Sequence, residues 1–237
     1  LLFKVYFKIS TLRLCGNIIR AIEQSEFPPI TTFPKAESIS YWYYRARICI
    51  HQKEFKKAET LLSDAFNLCH PQDLTHRREI LIYLVTMKII HGVLPKVQLL
   101  AQYGLYAEYG QLVEAVRKGN LALFDAVLAA NQTFFMQKEL YLIIQLYLKD
   151  LILRNCFRQI YLVTLSLPGA AESRLPLANL VVGFAVHGMK HVGKDEVECW
   201  TANLINEGFI KGYISHEKAT LVLSKKNPFP PPASLNI

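Results

Sequence analysis

The sequence predicts a mostly α-helical protein, a tetratricopeptide-like stack of helix pairs followed by a C-terminal winged helix with a small antiparallel β-hairpin. Three observations predict it. Helix-period apolar patterns follow one another through residues 1–170 with only short punctuators between them. Small residues recur over residues 42–71, where two helices would have to approach closely. Between residues 195 and 224 the apolar period switches from helical to alternating.

Residues 1–9 and 11–23 read as amphipathic helices, followed by a proline-bearing loop from Glu26 to Lys35. Over residues 42–71, Trp42, Arg45, Ala46, Ala58, Leu62 and Ala65, closed by Pro71, fall near the large–small spacing of a tetratricopeptide-type pair, with Glu54-Phe55 at its turn. One such pair cannot bury its own face. Helices near 75–90, 107–117, 121–131, 134–148 and 151–165 are therefore expected to stack with it into a curved array.

After Pro168-Gly169, residues 169–174 look like an irregular insertion; Leu175 to Ala185 then supplies a helix that His187-Gly188 breaks. In the next helix Val197, Trp200, Leu204 and Ile205 share a face, Asp195 is placed to accept from the first free N–H groups, and Gly208 ends it. Ile210, Gly212 and Ile214 alternate with Phe209, Lys211 and Tyr213. A His216-Glu217-Lys218 turn follows, and Leu221 and Leu223 alternate with Thr220 and Val222, which spells a hairpin. The expected domains are 1–170 (helical repeats), 171–227 (winged helix) and 228–237 (proline-rich tail).

At 237 residues, 51% hydrophobic and 19% charged, the chain can bury a substantial core, which excludes disorder away from the ends. It starts with Leu rather than Met inside a helical pattern, so a longer parent protein is expected. The longest uncharged run, Leu175 to Met189, is too short and too polar to span a membrane; a soluble protein is expected. Cys15, Cys49, Cys69, Cys156 and Cys199 are odd in number, dispersed and never in a Cys-x-x-Cys pair, which argues against a disulfide framework or zinc site and for a reducing compartment.

Catalytic and metal signatures are lacking. His187 and His191 have i, i+4 spacing, but Gly188 and Gly193 interrupt any helix that would give them a common face. There is no Gly-x-Ser-x-Gly elbow, phosphate-cradling glycine loop or oriented Cys-His pair, so no enzyme and no cofactor are expected. Tyr41-Trp42-Tyr43-Tyr44 points several ways around a helix and reads as packing before base stacking.

The formal charge of +8 is spread out, with +4 in residues 1–50, +2 in 51–100, and +1 in each of 101–171 and 172–237. Within the last segment the signs segregate. Asp195, Glu196, Glu198 and Glu207 occupy the helix that would read a major groove, where phosphates would repel it. The wing and tail carry Lys211, Lys218, Lys225 and Lys226 against Glu217 alone. These four are the expected nucleic-acid contacts, with Lys190, Lys194, Arg154 and Arg158 as outer ones. Thr220 to Ser224 reads as an edge strand able to add to a partner's sheet, with Tyr213, His216, Thr220 and Val222 facing that partner.

A helical stack capped by a winged helix resembles the PCI-domain proteins. Several short motifs are similar to one branch of them: Phe55-Lys56-Lys57-Ala58-Glu59, Gly119-Asn120-Leu121, Asp195-Glu196-Val197-Glu198, Lys211-Gly212-Tyr213-Ile214-Ser215-His216 and Asn227-Pro228-Phe229-Pro230, in order along nearly the whole chain. That branch holds the PCI subunit of the nuclear-pore mRNA-export complex (transcription-export complex 2) and its signalosome-associated fungal sister, linked to splicing; the loop from Glu26 to Lys35 leans slightly toward the sister. The resemblance implies a non-enzymatic scaffold in the nucleus, at the nuclear pore, with the cytoplasm as the other compartment. It implies a larger PCI-like partner, a small acidic disordered partner clasping the outside, and RNA or DNA bound by paired winged helices. The alternatives are a signalosome-associated PCI adaptor linked to splicing and transcription, or a purely protein-binding adaptor without nucleic-acid contact.

Overall fold

The computed structural model describes residues 2–9, 11–24, 28–169 and 171–235. Leu1 of the expected first helix, Glu26 and Phe27 of the loop, Ala170 of the insertion and the last two residues of the tail lie outside them. Backbone contacts divide the chain into two compact units, the first running to Lys88 and the second from Ile89. The boundary expected at residue 170 falls inside the second unit.

The first unit holds α1 (Leu2–Lys8), α2 (Leu12–Gln24), α3 (Lys35–His51), α4 (Phe55–Leu68) and the start of α5 (Leu74–Ile90). The α3–α4 pair forms where the alanines predicted it. Ala46, Ala58, Leu62 and Ala65 are fully buried, because short side chains let the two backbones approach. The turn between them is made by Lys53 at φ +63° and by Glu54 N–H donating to the Cys49 carbonyl at 2.8 Å. Buried Arg45 donates to Glu23 at 2.8 Å. The aromatic run serves packing: Tyr44 lies 5.2 Å from Phe7 and Tyr43 lies 5.6 Å from Tyr83 between ring centroids.

The second unit continues with α6 (Val97–Gln102), α7 (Tyr106–Lys118), α8 (Leu121–Ala130), α9 (Gln132–Gln137), α10 (Tyr141–Ile143), a π-helical turn over Ile144–Leu148 and α11 (Lys149–Leu165). The helix expected over 134–148 is therefore interrupted at Glu139, between α9 and α10 with the π-helical turn that continues it. Glu139 turns the chain at φ +60°, which costs about 1–2 kcal/mol, and full burial of Phe135 and Leu140 on either side offsets that cost.

At the α7–α8 corner Gly119 has φ +62°, and a Cβ there would overlap the backbone of Cys156 on α11, so only glycine allows this crossing. Asn120 caps α8, its side chain accepting from Leu123 N–H at 2.9 Å. Asn155 and Gln159 on α11 donate to the Val116 and Arg117 carbonyls that end α7, at 2.8 and 2.9 Å.

The head comprises β1 (Arg174–Pro176), α12 (Leu177–Val186), α13 (Lys194–Asn206), β2 (Gly212–Ser215) and β3 (Thr220–Leu223). Its sheet has three strands in the order β1-β3-β2, all antiparallel. Two expectations are corrected here. Arg174 and Leu175 belong to a strand, not to an insertion and a helix, because Pro176 keeps the chain extended and Leu175 sits opposite Leu221 in the core. Thr220–Leu223 is the central strand, so neither of its edges is free. The cap position of α13 falls on Gly193, leaving Asp195 in the first turn, where its charge suits the helix dipole. Phe157, Phe184 and Trp200 join α11, α12 and α13 through ring contacts of 5.9 and 5.0 Å.

Candidate nucleic-acid interface

The lysines of the wing stand where an antiparallel hairpin must put them. Ser224 N–H donates to the Lys211 carbonyl at 2.8 Å, which brings Lys211 beside Lys225 and Lys226 at the base of the hairpin. Lys218 sits in its turn, roughly 13–17 Å away at about 3.3 Å per residue. All four side chains are exposed, as are Lys190 and Lys194 around the α12–α13 connection and Arg158 on α11.

Arg154 departs from the expected set. Its side chain is only 8% exposed and turned inward, donating from Nη2 to the carbonyls of Phe229 and Pro230 at 2.8 and 3.0 Å and from Nη1 to Asn155 Oδ1 at 2.8 Å. Burial, helped by neighbouring Arg158, lowers its pKa to about 10, which leaves it charged at neutral pH. It holds the tail rather than a phosphate. The Asn-Pro-Phe-Pro segment is thereby fastened down: Phe229 packs on Tyr161 at 5.6 Å, and Lys211 N–H donates to the Pro228 carbonyl at 2.8 Å. The same helix buries Cys156, whose thiol is pushed up to about 12.

In its first turn α13 presents exposed Asp195 and Glu196, and exposed Glu207 follows its last residue. Glu198 faces the hairpin turn and binds His216 at 2.7 Å, so His216 ties the wing to the helix within this chain. Of the other residues expected to face a partner, Thr220 and Val222 lie on the central strand and are half-buried, whereas Tyr213 on β2 is 64% exposed. Among the described residues β2 has one sheet neighbour, β3, and no strand pairs with its other edge. His187 follows the last residue of α12 and His191 lies in the connection beyond, so the two share no helix face. Among the described residues no helix is long and apolar enough to cross a membrane.

Sequence reasoning missed β1 and the inward turn of Arg154. The second had a signal, since Leu151, Arg154 and Phe157 recur at helical spacing on an apolar face.

A family model described as the PCI domain matches residues 128–225. The chain is 40% identical over 235 residues to PCI domain-containing protein 2 of Danio rerio, covering 99% of this chain and 56% of that protein. It is 41% identical over 230 residues to the Xenopus laevis protein of the same name, covering 97% of this chain and 55% of the other. It is also 30% identical over 241 residues to Protein CSN12 homolog of Neurospora crassa, covering 97% and 53%. The chain spans about half the length of the curated relatives it matches. With helices leading into a small three-stranded head, and with similarity running far beyond the matched domain, the chain belongs to the PCI-domain proteins, in the branch of PCI domain-containing protein 2 and the CSN12 homologs.

Proposed function

We propose that this chain is a non-enzymatic scaffold subunit of a nuclear mRNA-export complex, whose head pairs with a larger PCI-like subunit so that two winged helices form a platform for RNA or DNA. A small acidic, intrinsically disordered partner lies across its helices, and the complex works in the nucleus at the nuclear pore. The observation that carries the nucleic-acid reading is the grouping of Lys211, Lys225 and Lys226 at the base of the hairpin, exposed and on a different element from the carboxylates of α13. Pairing is supported by the edge of β2 with which, among the described residues, no strand pairs, and by exposed Tyr213, which offer main-chain bonds and an aromatic anchor. The export setting is supported by the ordered motifs shared with that branch. A purely protein-binding adaptor without nucleic-acid contact is favoured by one observation: α13 exposes Asp195 and Glu196, with Glu207 at its end, where a groove-reading helix would carry cations.

The test uses the full-length protein purified from its own cells with the subunits that accompany it, identified by mass. Single-stranded RNA affinity is then measured by fluorescence anisotropy across salt concentrations. Combined substitution K211E/K218E/K225E/K226E is expected to reduce affinity by about tenfold or more and to flatten the log–log salt slope by roughly 2–3, at about 0.7 per phosphate contact. Unchanged affinity and slope reject the platform and leave the adaptor.

A further inference from the structure

An unclaimed apolar groove of the second unit lies between the end of α11 and α12. Val163 and Leu167 from one side and Val182 and Val186 from the other are 64%, 55%, 62% and 78% exposed, around a groove of about 390 Å³. Large aliphatic side chains scattered singly need no explanation, but four converging on one groove do. The floor is rigid. Gly183 packs so closely on Ile160 that an added Cβ would overlap it, so the two helices cannot draw together to hide the valines.

The polar surroundings give the groove a direction. Ile160 faces Gly183, and Asn179 donates to Thr164 Oγ1 at 3.3 Å, so α11 and α12 run antiparallel and Gln159 and His187 lie at the same end. Exposed cations adjoin that end along the chain, although none is part of the lining. Gln159 is anchored on the Arg117 carbonyl, exposed Arg158 precedes it, and exposed Lys190 follows His187 by three residues. On α7 Glu114 is engaged by Lys118 and also faces Arg117, and no carboxylate lines the groove itself. The lining at the opposite end, Thr164, Asn179 and Leu167, carries no charge.

From this geometry we infer that the groove docks an amphipathic helix of a partner protein, which inserts aliphatic side chains at i and i+4 between Val163 and Val182 and sets carboxylates against Arg117, Arg158 and Lys190. Two such anchors lie about 6 Å apart on one helix face, which suits a groove of this size. The surface is separate from the wing and does not rest on the wing's reading: the lysines of the hairpin take no part in it.

The probe is a fluorescein-labelled, alanine-based helical peptide with leucines at i and i+4 followed by a run of glutamates, compared with the same peptide ending in lysines. Binding to the full chain is read by anisotropy. The glutamate peptide is expected to bind about tenfold tighter than the lysine peptide, to lose about tenfold on V182D/V186D, and to lose several-fold on R117E/R158E. These positions are exposed, so thermal melts should match wild type; should V182D/V186D melt early, V163D replaces it from the other wall. Equal binding by both peptides, or binding indifferent to the valine substitutions, overturns the inference. So does a wild-type dimer in sedimentation that V182D/V186D converts to monomer, which would give the groove to a second copy of this chain.

Discussion

Arg154 and the wing lysines belong to the same unit, yet the guanidinium is buried against two carbonyls while Lys211, Lys218, Lys225 and Lys226 stand in solvent. The difference comes from what faces each cation. Where the chain brings two backbone acceptors to one planar fork, a charge-assisted contact closes and water is excluded. Where the neighbours are other lysines and a hairpin turn, the charge stays hydrated and is available to something else. The tail side of the unit is thus a lock built from backbone acceptors and close approaches, and the wing side is a surface. Substitutions on the lock should appear in stability and those on the wing in binding.

The largest effect is expected at Gly119. Valine there meets both the left-handed backbone and the Cys156 backbone, so Gly119→Val should cost about 4 kcal/mol or more and lower the urea midpoint of the second unit well below that of wild type. A midpoint close to wild type would mean that α7 and α11 have room to part. Next comes Arg154→Ala, which leaves the Phe229 and Pro230 carbonyls buried without their donor. About 2–4 kcal/mol should be lost, and limited proteolysis should reach the freed tail. Arg154→Lys, with a single point charge in place of the fork, should recover only part of this. Should Arg154→Ala instead weaken RNA binding while leaving the melt untouched, the lock and the surface would not be separate.

Much of this architecture can be read in the residues, for reasons that differ by region. The α3–α4 pair announces itself because close helix packing needs small side chains, and Ala46, Ala58 and Ala65 supply them. The hairpin does so because a half-buried strand must alternate. The break at Glu139 leaves no such trace: the chain turns there without glycine or proline, driven by burial of Phe135 and Leu140, which only the folded environment reveals. β1 is three residues long and too short to show a period, so the hairpin's second strand looked like an edge when it is the centre. Of the candidate site, exposure of the lysines follows from charge. The identity of the one cation turned inward depends on where the Asn-Pro-Phe-Pro segment returns, a contact 75 residues away along the chain.

The smallest effect is expected at Asp150, where the charge has the opposite sign. Asp150, at the start of α11, has its carboxyl raised above the usual aspartate range, first by burial and then by the Glu207 carboxylate, with Lys149 acting partly against them. A raised folded-state value means the folded chain holds this proton more tightly than the unfolded one. Its contribution to stability therefore falls as pH rises from about 4, the unfolded value, through the folded value, and the deficit is complete above both. Asp150→Asn should remove that deficit. The variant should melt slightly above wild type at pH 7, with the gap closing as the pH is lowered toward 4. Glu207→Gln, on the exposed partner, should close part of the same gap at neutral pH without touching the burial contribution. A gap that is constant across pH would show that the carboxylate is better solvated than its position suggests, and that this side of the unit tolerates negative charge as readily as the wing tolerates positive.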